Sequence, residues 1–405
     1  MLCSQEFNTT SNATKCNLFI RRNHQRPSKL ASGCSEQPQH EEHKKAMIRT
    51  RNTITTFVQA LITYYYAAIA ISSTPTGHIT QAIQMKAAIR SGFPTSHLAF
   101  SNDFAVPKST KSDHVLIKVN AAAINPVDYK LPKLFAGDIY GIDMCGTITE
   151  VGSGVTTLSV GDLVFGPAAT GSLAEFTTAD ATKIAKVPSG WTPVEAAALP
   201  VAYVTAVTGF AKGGITATSP KESVLVIGAS GGCGIAACQI AHGMGVKRII
   251  GICSSANAEF VKANGATEVV DYHDTVGLQK FYSDNAGMID FVYDAATGSG
   301  GGEMYAGATL PLLKKDGTYI ALNGKASNWM GQFFFGRGFK DKRQKMHLTA
   351  HSTAALETVT TMLDKNKYRP TLIHFDFSEA GVKSGFEQLK SRRTKGKLVC
   401  EVAPL

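Results

Sequence analysis

Metal-ligand spacing is missing from this chain. Its eight cysteines include no C-x-x-C pair and no histidine cluster stands at zinc spacing, so a structural zinc lobe is excluded and no disulfide framework is evident. Cys233, Cys238 and Cys253 fall in apolar surroundings, where a free thiol packs as a small hydrophobe. Charge is sparse as well: 18% of the 405 residues are charged against 44% hydrophobic, an ordinary globular composition long enough for two domain cores. Acidic residues are in deficit, and the formal charge is +10. Half of that excess comes from residues 1–84, where nine Lys and Arg face four Glu. The remaining basic clusters, at 340–345 and 392–397, carry no interleaved aromatic pattern, so no nucleic-acid partner is expected.

Residues 1–46 are rich in Ser, Asn, Gln and His and lack apolar periodicity, so they are expected to form a disordered tail. Over 47–84, Arg49 and Arg51 precede an uncharged stretch whose apolar part, 54–71, reads either as a membrane anchor or as a targeting segment removed on import. Thr55, Thr56, Gln59 and Thr63 dilute its hydrophobicity, and Tyr64, Tyr65 and Tyr66 prefer an interface. A mitochondrial, plastid or membrane-associated location follows if this segment works; a cytoplasmic one follows if it does not.

What is present centres on 224–241, VLVIGASGGCGIAACQIA: an apolar run, a knot of small residues, then helical spacing. Val224 to Ile227 suit a strand buried on both faces of a parallel sheet. Gly228, Gly231, Gly232 and Gly234 permit a tight turn and close backbone approach, and the following helix presents its positive dipole end to a pyrophosphate. Ala229 stands where G-x-G-x-x-G has its first glycine, so a plain strand-to-helix turn remains the competing reading. A second strand, RIIGIC at 248–253, stands at Rossmann spacing. At its end come Ser254, Ser255, Ala256 and Asn257, with no carboxylate before Glu259 and with Lys262 nearby. An acidic side chain there would repel a 2′-phosphate, whereas hydroxyls, an amide and a cation would bind it, so NADP is favoured over NAD; capping the next helix is the alternative role.

Around this centre, 114–121 alternates as a half-buried strand, and Gly152, Gly154 and Gly161 punctuate short strands of a small β-rich unit. Thr192 and Glu195 around Pro193 form a capping box, expected to open one long helix. Beyond Ser255, helix 258–264, strand 268–271, strand 291–293, helix 302–313 and strand 317–322 continue the alternation expected of a doubly wound sheet. Two further helices, from Thr353 and near 378–389, precede a final strand at 397–402, which has no helical partner and is returned to the β-rich unit.

Several motifs in order now become informative: INPVDYK at 124–130, GIDMCGTITEVGSGV at 141–155, LPVAYVTA at 199–206, ASGGCG at 229–234, NGATEVVDY at 264–272 and GKLV at 396–399. Together they resemble the medium-chain dehydrogenase/reductase superfamily, in its zinc-free branch of quinone oxidoreductases, alkenal/enone reductases and reticulon-interacting mitochondrial reductases. The resemblance implies an α/β architecture: a GroES-like substrate domain from 85–206 and 341–405, and a Rossmann NADP-binding domain at 207–340. Where zinc relatives carry Gly-His-Glu this chain has Gly141, Ile142 and Asp143, and isoleucine cannot coordinate zinc. No metal is therefore expected.

By resemblance, Asn125, Tyr129 and Lys130 form the catalytic set, with Lys130 weighed equally as a solvated lysine and Asp128 read as a structural carboxylate. Thr205, Ser230, Gly231, Gly232, Cys233, Gly234, Ser254, Ser255, Asn257, Lys262, Tyr272, Leu322, Asn323 and Gly324 would hold NADPH. The implied reaction is hydride transfer to a quinone or to the double bond of an α,β-unsaturated carbonyl. An enoyl-thioester reductase of lipid synthesis and a non-catalytic, crystallin-like NADPH-binding protein are the alternatives. A homodimer through an edge strand of the Rossmann sheet is the implied assembly.

Overall fold

The computed structural model describes residues 83–92, 97–108, 111–131, 133–297 and 305–404. The tail expected over 1–46 and the apolar segment 54–71 lie outside them. Among the described residues no helix is long and apolar enough to cross a membrane.

The strand His114–Ile124 is the hub of a seven-stranded sheet. The alternation expected over 114–121 does not hold: Val115, Leu116 and Ile117 are buried in a row, and from Val119 to Ile124 every residue is buried, with the small side chain of Ala123 packed against Ala198 and Val399. It pairs antiparallel with Asp143–Val151, Phe176–Asp180 and the final strand Lys397–Glu401. The last pairing sets Leu398 opposite Ile124 and so brings the chain's far end next to Asn125. Gly146 is required here, because an added Cβ would lie 2.4 Å from the Lys118 carbonyl oxygen on the neighbouring strand.

The second sheet has six strands, all parallel: Glu268–Asp271, Arg248–Cys253, Ser223–Ile227, Ile289–Asp294, Leu313–Ala321 and Gln344–Met346, in that spatial order. Numbered along the chain this is 3-2-1-4-5-6, the doubly wound order, with its topological switch between Ser223–Ile227 and Ile289–Asp294. Ser223–Ile227 is buried at all five residues, as a strand covered on both faces must be.

Three expectations change. The helix opened by Thr192 is short, Pro193–Ala197; its capping box forms, with the Thr192 N–H donating to Glu195 Oε2 at 2.9 Å and the Glu195 N–H to Thr192 Oγ1 at 3.4 Å. Pro200 then lacks the N–H a continuing helix needs and instead starts a second one, Pro200–Lys212. The helix expected over 302–313 reduces to Ala306–Thr309 and a 3₁₀ turn at Leu310–Leu312, because Pro311 leads the chain directly into a strand at Leu313; residues 302–304 lie outside the described ones. The boundary drawn at 340/341 also shifts. Gln344–Met346 is the sixth strand of the parallel sheet, so 341–346 joins that side, while Thr353–Lys365 buries Leu356, Val359 and Leu363 in a core that holds Val224 of the parallel sheet and Ala121 and Phe165 of the seven-stranded one.

Candidate active site

At the switch of the parallel sheet the chain turns through Gly228, with φ +77°, into the helix Gly232–Gly243. Gly231 is its N-cap and no side chain caps it, so the first turn directs bare N–H groups outward. Glycine is enforced by crowding: a Cβ on Gly234 would sit 2.1 Å from the Gly228 oxygen. One on Gly232 would meet Gly396 O at 3.2 Å and Lys397 Cδ at 3.1 Å. The glycine turn of one sheet thus abuts the last strand of the other.

Between them opens a cavity of about 490 Å³. It brings together Asn125, Tyr129, Ser230, Gly231, Gly232, Cys233, Gly234 and Tyr272 of the residues singled out from the sequence. Lys130 does not line it; its side chain is exposed beyond the half-buried Tyr129. Thr205, buried on Pro200–Lys212 with its hydroxyl hydrogen-bonded to that of Thr349, lies outside the cavity lining. So do Leu322, Asn323 and Gly324, which follow the strand Leu313–Ala321; there Asn323 Oδ1 accepts from the Gly324 N–H and the Trp329 indole.

Ser254, Ser255, Asn257 and Lys262 gather beside the turn rather than in the cavity lining. Asn257 Nδ2 donates to Ser230 Oγ at 3.2 Å, and Lys262 is paired with Glu259 at 3.3 Å. The carboxylate of Asp271 accepts the His273 N–H at 2.8 Å and a hydrogen bond from Ser255, and in that order these hold it below its ordinary range. That carboxylate arrives from the neighbouring strand and is invisible in the spacing of 248–259.

Asn125 shows what holds the site. It is 3% exposed and precedes the helix Pro126–Lys130, whose third residue, Asp128, accepts the Asn125 N–H at 2.7 Å. Its amide is clamped from both ends: Nδ2 donates to Asp143 Oδ2 at 2.9 Å, and Oδ1 accepts from Lys397 Nζ at 2.5 Å. Lys397 Nζ also donates to Asp143 Oδ2 at 3.0 Å and reaches Ile124 O at 3.4 Å, so its three protons face three acceptors. Asp143 Oδ1 accepts the Val201 N–H at 2.8 Å. Asp143 and Lys397 are buried, a costly arrangement unless both charges are fully paired, as they are here. Neither was singled out as a site residue from the sequence. The signal was a lysine in GKLV and an aspartate in a zinc ligand's neighbourhood, both without a local reason to be buried.

Tyr129 packs edge-on to Phe386 with ring centroids 6.4 Å apart, under Lys390 Nζ at 5.4 Å. Burial raises its phenol above the ordinary value, so it stays a proton donor at neutral pH. Burial likewise raises the Cys233 thiol, against thiolate chemistry. Among the described residues no group of three or more His, Cys, Asp or Glu could hold a metal ion.

Residues 111–189 match the alcohol dehydrogenase GroES-like domain, and residues 264–400 match the family described as zinc-binding dehydrogenase. The chain is 31% identical over 325 residues to the 2-methylene-furan-3-one reductase of Solanum lycopersicum, covering 76% of each. It is 28% identical over 359 residues to the chloroplastic NADPH-dependent alkenal/one oxidoreductase of Arabidopsis thaliana, covering 84% of each. Its fold matches the quinone oxidoreductase of Coxiella burnetii at a TM-score of 0.65 and 25% identity, over 79% of this chain and all of the other. With a GroES-like domain, a parallel sheet in doubly wound order and these relatives, this chain is an oxidoreductase that belongs to the quinone and enone oxidoreductase branch of the medium-chain dehydrogenase/reductase superfamily.

Proposed function

We propose that this chain is an NADPH-dependent reductase that needs no metal and reduces a quinone or the double bond of an α,β-unsaturated carbonyl. The observation that carries the reading is the single cavity running from the bare glycine turn to Asn125 and Tyr129. A dinucleotide fits this turn: Gly231, Gly232 and Gly234 line the cavity with backbone alone, and a helix N-terminus without a side-chain cap faces the space. Gly231 to Gly234 would hold the pyrophosphate, and Ser254, Ser255, Asn257, Lys262 and Tyr272 the adenosine end with its 2′-phosphate. Thr205 and 322–324 would back the nicotinamide end. Bound NADPH supplies the hydride.

The protein's own part is orientation and one proton. Lys397 and Asp143 hold the Asn125 amide in one rotamer, which fixes a polar contact at the cavity wall without reorganisation. Tyr129, a phenol protonated at neutral pH, donates to the substrate oxygen as negative charge develops there. Ile142 stands at the position of a zinc ligand in metal-dependent relatives, and Ile124, Ile227 and Leu398 give the cavity an apolar part of its wall. Lys130, exposed, is assigned no role in the chemistry.

NADPH and NADH oxidation, followed with a small enone, a quinone and a crotonyl thioester, tests the reading. Turnover with the first two and preference for NADPH is the expected result. Thioester turnover alone would reassign the chain to lipid synthesis, and binding without oxidation would make it a nucleotide-binding protein. For location we propose an organelle, supported by the chloroplastic relative and by the basic-then-apolar order of 47–84. For assembly we propose a homodimer through the edge strand Gln344–Met346, which light scattering tests.

A further inference from the structure

The helix Ala326–Phe335 carries the sequence ASNWMGQFFF, and its C-terminal end turns apolar residues into solvent. Phe333, Phe334 and Phe335 are 69%, 71% and 84% exposed, with Met330 at 51%. The helix itself is well seated. Asn328 Nδ2 donates to Gly338 O at 2.7 Å, the Trp329 indole donates to Asn323, and the buried Phe339 pins the following loop into the core beneath the parallel sheet. The exposed phenylalanines are therefore a presented surface. Directly after them, Arg337, Lys340 and Lys342 are exposed, and among the described residues none has an ion-pair partner; the nearby Asp341 is taken by Arg343 at 2.8 Å.

We propose that this helix end and the basic run behind it form a docking face for an anionic lipid bilayer. Three consecutive helical residues point about 100° apart, so together the phenylalanines sweep over half the helix circumference. A rigid protein surface covers one face of a helix; a fluid interface closes around its end. Aromatic side chains with adjacent unpaired cations match the apolar boundary and negative headgroups of such an interface.

The test uses the full chain with vesicles of phosphatidylglycerol and of phosphatidylcholine, read by co-sedimentation and tryptophan emission. Only Trp191 and Trp329 are present; Trp191 is buried, and Trp329 stacks on Phe333 with centroids 6.1 Å apart, so a shift reports on this helix rather than on 54–71. Phosphatidylglycerol vesicles are expected to pellet the protein and blue-shift Trp329, and added salt to weaken both effects. The triple variant F333S/F334S/F335S and the triple variant R337E/K340E/K342E should each lose binding by at least tenfold, while thermal melting shows them folded. Pelleting without an emission shift, equal binding by either folded variant, or no binding by the wild type would overturn the proposal. Conversion of a dimer to a monomer by the phenylalanine variant, with vesicle binding intact, would assign the face to a second copy of the chain.

Discussion

Lys397 lies 254 positions along the chain from Asp143 and 3.0 Å from it in space. Both side chains are buried, and Asn125 is held between them. The pair joins two strands of the seven-stranded sheet, with Lys397 and Asn125 at the cavity wall.

Removing one partner leaves the other charge buried and alone. Lys397→Met should cost about 3–5 kcal/mol in urea unfolding, and Asp143→Asn a comparable amount. The double variant should cost less than the sum of the two. Additive losses would show that the two charges do not act as a pair.

Asp128 gives the fold a pH dependence. Burial, and then the charge of Asp143, push its carboxyl up to about 7, against the Asn125 N–H, Lys397 and Arg90. A carboxyl whose folded value is raised holds its proton more tightly in the native state. Its contribution to stability is therefore full below about pH 4 and lost as pH rises through about 7, with a slope approaching about 1.4 kcal/mol per pH unit in between. Asp128→Asn should flatten that part of the stability profile. An unchanged slope would mean the carboxyl ionises normally.

At the cavity wall, Tyr129→Phe and Asn125→Ala should each lower kcat by about 10²-fold or more, with melting temperature little changed in the tyrosine variant. Lys130→Met should change the rate by less than about twofold, since its side chain does not reach the cavity. The reverse ranking in steady-state assays would move the proton donor to Lys130.

Ser254→Asp places a negative charge at the end of Arg248–Cys253, and NADPH affinity should fall far more than NADH affinity. Asp271→Asn, which removes the carboxylate hydrogen-bonded to Ser255, should shift preference further toward NADPH. Fluorescence titrations with both nucleotides check this; equal losses for Ser254→Asp would place the 2′-phosphate elsewhere.

Gly234→Ala should abolish nucleotide binding or folding, because its Cβ would lie 2.1 Å from Gly228 O and 2.7 Å from Ala229 Cα, both rigid backbone. A folded variant with wild-type nucleotide affinity in calorimetry would show that the turn can widen.

Much of the architecture was legible in the residues. The strand Arg248–Cys253, the strand Glu268–Asp271 and the Thr192 capping box form where local pattern placed them, since each rests on neighbours within a few positions. Lengths failed where one residue overrode a pattern, as Pro200 and Pro311 did by cutting helices that composition favoured. Gln344–Met346 was missed because a three-residue strand carries too short a signal for period to show. The helix Ala326–Phe335 was missed because a run of three phenylalanines has no helical stripe.

What the linear order of residues settled here is what arises between near neighbours: the glycine turn after a buried strand and the capping box at Thr192. What needed the folded molecule is every contact that joins distant strands. Lys397 meets Asp143 and Asn125 because Leu398 pairs with Ile124, and Asp271 reaches Ser255 because two parallel strands run side by side. A charge can be buried only when its partners are delivered by sheet pairing, and that pairing is a property of the whole chain rather than of any stretch within it.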